Sequence, residues 1–257
     1  MILLLAGTKD GRELGETLSK QNYRIIISVT SDYGKKLIKK SKNLVINDKP
    51  MDLERLVSYI KENKVKLLID ASHPYAETAS KNAIAAANEA KIPYIRYERE
   101  KAAIDYDKVY YAKDYEDAAK ISAGLGNNIF FTTGSKSAKF FFNSPLLKDK
   151  RLIFRVLPSA NVLSELTEAG ILAKNIVALE GPFTEELNRA LFKAYEADAI
   201  ITKDGGNVGG TDTKTAAAKN LDLPMVIIER PKIDYPNVVS NYNAVFEFVR
   251  NCLARNN

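Results

Sequence analysis

One cysteine, one histidine and no apolar run long enough to cross a membrane are what this 257-residue chain has least of, and each scarcity excludes something. Cys252 alone forms neither an intramolecular disulfide nor a cysteine-rich metal site. With His73 as the only imidazole, there is no H-E-x-x-H zinc motif, and no G-x-S-x-G elbow announces a hydrolase. The apolar opening, Met1 to Ala6, gives way at once to glycine and charge. It is far too short for a span and lacks the basic residues that precede a signal-peptide core, so it is expected to be a buried first strand of a cytoplasmic protein. At 46% hydrophobic and 27% charged residues, with no low-complexity or collagen-like segment, the composition is that of an ordinary folded, soluble protein.

Charge of one sign is also scarce. Thirty-eight Lys and Arg face 32 acids, a net +6 and a pI near 9.1. The lysines are scattered, with no basic stripe interleaved with aromatics, which argues against a nucleic-acid partner. Two readings remain: a lysine-rich solvated surface, or a field that draws in an anion such as a phosphate-bearing cofactor or a polycarboxylate.

What is present is alternation. Apolar runs of three to seven residues at 2–6, 24–30, 44–46, 66–71, 94–97, 128–132, 152–156, 175–179, 198–202 and 225–229 read as strands, and most gaps between them as helices. Asp52-Leu53-Glu54 and Thr184-Glu185-Glu186 carry the cap and first-turn carboxylates of helix starts. The pattern predicts an α/β protein with parallel sheets. Residues 97–111 break the alternation and are the expected crossing between two Rossmann-like domains, 1–103 and 104–257. A last strand near 238–239 and a closing helix at 241–253 fit either half.

The chain also aligns with itself at an offset of 131 residues. Lys66 to Arg99 lies over Ala197 to Arg230 without a gap, matching Ala85-Ala86-Ala87 with Ala216-Ala217-Ala218, Pro93 with Pro224, and Glu98-Arg99 with Glu229-Arg230. Two unrelated βαβ units share much of this pattern by necessity. A true duplication places Ser72-His73-Pro74 and Lys203-Asp204-Gly205 at equivalent loops on the carboxyl ends of strands, where open parallel sheets bind ligands.

Four loops carry the candidate chemistry. Gly7, Thr8 and Arg12 lie in a glycine turn opening a helix, able to hold an anion or to be a plain tight turn; the spacing is not G-x-G-x-x-G. Ser72, His73 and Tyr75 close an apolar strand, where His73 is either structural or a substrate contact and proton donor. Thr133, Gly134, Ser135 and Lys136 offer amides, hydroxyls and an ammonium suited to phosphate, without the P-loop spacing. Lys203, Asp204, Gly205, Gly206 and Gly209 form a glycine-rich strand-to-helix loop whose backbone can lie against a large ligand.

Together these loops resemble the precorrin-6A reductase family, called cobalt-precorrin-6A reductase in the anaerobic pathway. The resemblance runs through G-T-K-D-G-R at 7–12, D-A-S-H-P-Y-A at 70–76, P-Y-I-R-Y-E-R at 93–99, T-T-G-S at 132–135, R-V-L-P at 155–158, G-P-F at 181–183 and K-D-G-G at 203–206. It implies two Rossmann-like domains with the active site in the cleft between them. It implies hydride transfer from NADPH, or NADH, to C19 of a tetrapyrrole polycarboxylate, with protonation of the neighbouring carbon and no metal or flavin. By the same resemblance the 132–136 and 203–210 loops, with Gly7 and Thr8, contact the cofactor. Arg12, Ser72, His73 and Tyr75 face the tetrapyrrole, and His73, Tyr75 and Asp204 are the catalytic candidates. The chain departs from the family at Gly205, where serine is expected; that hydroxyl is lost or supplied by Thr202 or Thr211. The competing expectations are a nicotinamide-free enzyme like uroporphyrinogen-III synthase, or a two-lobed binding protein for an anionic ligand. A short-chain dehydrogenase is disfavoured by the absence of a helical Tyr-x-x-x-Lys pair. Monomer and small homo-oligomer are both open.

Overall fold

The computed structural model describes residues 1–29 and 32–254. In chain order it runs β1 (Ile2–Leu5), α1 (Lys9–Lys20), β2 (Ile25–Ser28), α2 (Asp32–Lys36), β3 (Leu44–Asn47), α3 (Leu53–Glu62), β4 (Leu67–Asp70), α4 (Glu77–Glu89) and β5 (Tyr94–Tyr97). It continues with β6 (Val109–Ala112), α5 (Tyr115–Ala123), β7 (Asn128–Phe131), α6 (Ala138–Phe142), β8 (Arg151–Val156), α7 (Ala160–Glu168), β9 (Ile176–Ala178), α8 (Glu185–Ala194), β10 (Ala199–Lys203), α9 (Thr211–Asn220), β11 (Met225–Ile228), β12 (Val238–Val239) and α10 (Tyr242–Ala254). All ten expected strands form. Thr30, the last residue of the second predicted strand, lies outside the described residues.

Two compact units result: Met1–Glu100 with Pro231–Asn257, and Lys101–Arg230. The first sheet has the order β12-β5-β4-β1-β2-β3 and the second β6-β11-β10-β7-β8-β9, and every strand pair is parallel. Both are the same doubly wound order, with a switch point between β1 and β4 in one unit and between β7 and β10 in the other.

The division at 103/104 therefore needs two corrections. The crossing falls between Glu100 and Lys101, and the chain from Pro231 onward returns to the first unit. Each sheet borrows its outer strand from the segment beyond the other half: β6 follows β5 in sequence but pairs with β11, and β12 follows β11 but pairs with β5. Periodicity cannot foresee this, because an edge strand's partner is chosen by sheet geometry. β6 was also missed outright. Its Tyr110 and Tyr111 are exposed on an edge and flanked by charge, so it carries no buried apolar run.

Inner strands bury both faces and so read as continuous apolar runs. In the first unit Ile2, Leu4, Ile25, Ile27, Leu67 and Ile69 pack with Leu14 and Leu18 of α1 and Val245 and Val249 of α10. On the other face Leu3, Ile26 and Leu68 meet Leu56, Val57 and Ile60 of α3 and the small Ala83, Ala86 and Ala87 of α4. Each such large aliphatic side chain contributes roughly 1.5–3 kcal/mol by leaving water. The second unit is aromatic. Phe130 sits edge-on to Phe192 at 5.2 Å, while Phe131 stacks on Phe154 at 4.9 Å and meets Phe141 at 4.6 Å. No helix among the described residues is long and apolar enough to cross a membrane.

Candidate functional sites in each unit

Where neighbouring connections leave a parallel sheet in opposite directions, their loops part and open a crevice at the carboxyl ends of the strands. The four candidate loops occupy these places. Those after β1 and β4 lie at the first switch point, and those after β7 and β10 at the second.

In the first unit the two loops are laced together. Thr8 caps α1, its Oγ1 accepting the Gly11 amide at 3.1 Å and donating to the Ala71 carbonyl at 3.3 Å. Gly11 is required here, because a Cβ would lie 2.8 Å from the Ala71 oxygen. A Cβ on Gly7 would stand 3.3 Å from the His73 amide, so these two exposed positions are neighbours. Gly7 and Thr8, expected on the cofactor side, thus share a unit with Arg12, Ser72, His73 and Tyr75.

Beneath the loops lies a buried ionic network. Asp70, fully buried, accepts hydrogen bonds at Oδ1 from the Ser72 amide and Arg96 Nη1, both at 3.0 Å. Its Oδ2 accepts from Ser80 Oγ at 2.6 Å and Tyr94 Oη at 3.0 Å. Arg96, equally buried, also donates to Ser72 Oγ at 3.0 Å and through Nε to Glu98 at 3.1 Å. Burial, reinforced by the Asp70 carboxylate, holds the Tyr94 phenol well above its ordinary pKa, so it stays a donor. Arg99 pairs with the buried Asp10 at 3.3 Å. Thr8, Asp10, Ser72, Pro74, Arg96 and Arg99 line a small depression. Two groups rise from this base. Arg12 is half-buried in the first turn of α1, and among the described residues no carboxylate pairs with it. His73 is exposed, its Nδ1 accepting the Tyr75 amide at 3.2 Å, which favours the neutral ring with its proton on Nε2.

The second unit uses hydroxyls and glycines instead. Ser137 Oγ donates to the buried Thr133 hydroxyl at 2.8 Å, bracing the turn of Gly134, Ser135 and the exposed Lys136. Lys203 lies half-buried with its Nζ 5.1 Å from the Tyr115 ring centre. Asp204 is buried; its Oδ1 accepts the Gly206 amide at 3.0 Å and Oδ2 lies 3.6 Å from Arg230 Nε. That carboxylate shapes its own loop. The Thr211 hydroxyl accepts the Gly205 amide at 3.0 Å. A Cβ at Gly205 would approach the Gly209 Cα to 3.0 Å, leaving little room for serine in this fold of the loop. The buried Lys214 clamps the other end, donating to the Gly209 carbonyl at 3.1 Å and Thr202 Oγ1 at 3.3 Å. Gly210, with φ +67°, then starts α9 with no side-chain cap, a backbone conformation that glycine adopts without strain.

Sequence reasoning assigned no roles to Asp70, Arg96, Lys214 or Arg155. Arg96 and Arg155 had a visible signal: each is a cation inside an otherwise apolar strand, Y-I-R-Y and L-I-F-R-V, and a buried cation calls for a partner. Arg155 is 6% exposed. Its Nη1 donates to Asn188 Oδ1 at 2.7 Å and its guanidinium covers the Phe183 ring at 3.8 Å.

The chain matches the family model described as "Precorrin-6x reductase CbiJ/CobK" over residues 1–250. It is 42% identical to the cobalt-precorrin-6A reductase of Priestia megaterium, over 95% of this chain and 96% of that one. It is 38% identical to the enzyme of the same name from Methanocaldococcus jannaschii, over 97% and 98%. Among solved structures it is similar to a CobK precorrin-6A reductase with a TM-score of 0.79 at 23% identity, covering 98% of this chain and 96% of the other, a likeness of fold.

Proposed function

The chain belongs to the precorrin-6x reductase CbiJ/CobK family, and we propose that it reduces (cobalt-)precorrin-6A to (cobalt-)precorrin-6B, adding a hydride from NAD(P)H to C19 of the macrocycle and a proton to the neighbouring carbon. The observation that carries this reading is the family match across residues 1–250, a span that includes all four switch-point loops. Both quoted relatives are named for the cobalt-bearing substrate, which supports that form as the natural one.

The residues divide by unit. In the second, the Thr133–Lys136 turn and the Lys203–Gly209 loop hold the nucleotide, with amides and ammonium groups for its phosphates. The hydroxyl-braced backbone there and the uncapped start of α9 fit an anionic ligand. A bound reduced nicotinamide supplies the hydride. In the first unit Arg12 takes a substrate carboxylate with a charge-assisted hydrogen bond, and the Asp70–Arg96 network keeps the Ser72-His73 loop in place beside it. His73 offers Nε2–H to the substrate. To act as a general acid it must carry a second proton on Nδ1, which means releasing the Tyr75 amide; Tyr75 is the next donor in line. Asp204, engaged by Gly206 and Arg230, positions the loop that carries the cofactor.

The test is a titration of the protein with NADPH and NADH, followed by nicotinamide fluorescence, and then turnover with (cobalt-)precorrin-6A. Micromolar binding and reduction of the macrocycle are expected. A folded sample that binds neither nucleotide would sink the reading. His73→Ala is expected to lower turnover by tenfold or more, about 1.4 kcal/mol, while leaving nucleotide affinity nearly unchanged. Unaltered turnover would make His73 structural.

A further inference from the structure

The net charge of this chain is concentrated in one segment. Residues 35–49 hold six lysines, Lys35, Lys36, Lys39, Lys40, Lys42 and Lys49, and one acid, Asp48, a net +5 against +6 for the whole chain. The rest of the chain is therefore close to neutral, and of the two readings that composition leaves open this favours a directed field over a uniformly lysine-rich surface. All six lysines are exposed. Lys35 pairs with Asp48, and among the described residues no carboxylate pairs with the other five.

The lysines stand on a fixed surface and not on a free tail. Ile38 and Leu44 sink into the core of the first unit. The Ser41 and Ser19 hydroxyls meet at 2.7 Å, and Asn43 Nδ2 donates to the Ser19 carbonyl at 3.4 Å, which lays the segment along the flank of α1. Glu16 of that helix accepts the Lys39 amide at 3.3 Å and, with Asp48, offsets part of the charge.

Its place points to a ligand. α2 begins just past the carboxyl end of β2, and Lys49 follows the carboxyl end of β3. β2 is the parallel neighbour of β1, whose own carboxyl end leads into the turn that bears Arg12. Lys35, Lys36 and Lys49 thus stand at the same edge of the sheet as the loops of Arg12 and His73. Like charges gathered so closely work against the folded state, while a field of one sign raises the local concentration and arrival rate of an oppositely charged ligand.

We propose that the lysine face of residues 35–49 is an electrostatic capture surface for the polycarboxylate substrate, drawing it to the loops of the first unit without touching the reacting atoms. The inference rests on the reductase reading, which names the polycarboxylate. Its reach is a Debye length, ~8 Å at physiological salt, so its signature is a rate that salt suppresses.

The experiment measures kcat and kcat/KM for (cobalt-)precorrin-6A at saturating nicotinamide nucleotide, between about 0.01 M and about 0.5 M salt, over which the Debye length shrinks from ~30 Å to below ~8 Å. The wild type is compared with Lys36→Gln/Lys39→Gln/Lys40→Gln/Lys42→Gln and with Lys36→Glu/Lys39→Glu/Lys40→Glu/Lys42→Glu. Wild-type kcat/KM is expected to fall about tenfold across the range. The Gln variant is expected to start about tenfold lower, to come within about twofold of the wild type at high salt, and to keep its kcat; the Glu variant is expected to start about a hundredfold lower. Should the fourfold variants melt early, Lys36→Gln and Lys40→Gln singly carry the comparison at about twofold each. Wild-type kcat/KM that ignores salt, or a Gln variant equal to the wild type at low salt, overturns the inference and leaves the reductase reading intact. A deficit that persists at high salt or enters kcat makes the lysines contact or folding residues, and the inference falls. It falls too if the variants raise KM for the nucleotide and not for the tetrapyrrole. Wild type that binds nucleotide but reduces no tetrapyrrole removes the reductase reading and the inference together.

Discussion

The two units share one strand order and differ in how fully their buried charges are paired. At the first switch point the buried charges neutralise one another: Asp70 with Arg96, Asp10 with Arg99. At the second, hydroxyls, glycine amides and Lys214 hold the loops beside a buried pair of Asp204 and Arg230, and on the neighbouring strand β8 no carboxylate among the described residues reaches the buried Arg155. A network satisfied internally gives rigid shape. The aligned segments agree in backbone and differ in how their charges are paired. At the 131-residue offset, Lys91 and Asp222 both adopt positive φ, and Ile92 N–H to Ala87 O matches Leu223 N–H to Ala218 O. Arg99 and Arg230 also correspond, but Arg99 pairs with Asp10 from the first turn of α1 and Arg230 with Asp204 just after β10.

The sharpest way to break this comparison is to remove one arginine from each unit. Arg96→Met strands the Asp70 charge in the interior and is expected to cost about 3–5 kcal/mol in urea unfolding. Arg155→Met is expected to cost far less, because it leaves no ion behind. Equal losses would show that the two sites do not differ in kind. Alkaline pH offers the next contrast. Burial, reinforced by Asp70 for Tyr94 and by Asp10 for Tyr97 and Tyr242, raises all three phenol pKa values, and all three lie in the first unit. Above pH ~10 the unfolded chain ionises while the folded phenols stay protonated, so the folded state binds more protons and stability falls as pH rises. Arg155 acts in the reverse sense. Between about pH 10 and the ordinary arginine range the unfolded chain holds the extra proton, and stability gains. Limited proteolysis in urea, compared between about pH 8 and pH 10.5 with the fragments mapped, is expected to show the first unit opening earlier at the higher pH. Earlier opening of the second unit would contradict it. The smallest effects separate the ligands. Arg12→Gln is expected to raise KM for the polycarboxylate about tenfold at unchanged nucleotide affinity, and Lys203→Ala to weaken nucleotide binding about tenfold, each some 1.4 kcal/mol. Variants that shift both ligands equally would erase the division of labour.

Much of this was legible beforehand for identifiable reasons. Inner strands such as Ile25–Ser28 and Met225–Ile228 are buried on both faces and had to be written in apolar residues. The loops after β1, β4, β7 and β10 needed glycine, hydroxyl and charge at the ends of those runs. β6 escaped because an exposed edge strand needs no apolar pattern. Arg96 and Arg155 were visible as cations in apolar strands, but their opposite situations were not, since Asp70 lies 26 residues from Arg96 and Asn188 33 from Arg155.

The order of residues along the chain thus determined the ten apolar strands, the parallel sheets, the internal similarity and the loops that carry chemistry, because each is set by periodicity and local backbone preference. Only tertiary structure decided which sheet each outer strand joins, that the chain from Pro231 returns to the first unit, and which buried charges meet an opposite charge. Those outcomes depend on groups brought together from distant positions, and burial makes the presence or absence of such a partner worth several kcal/mol.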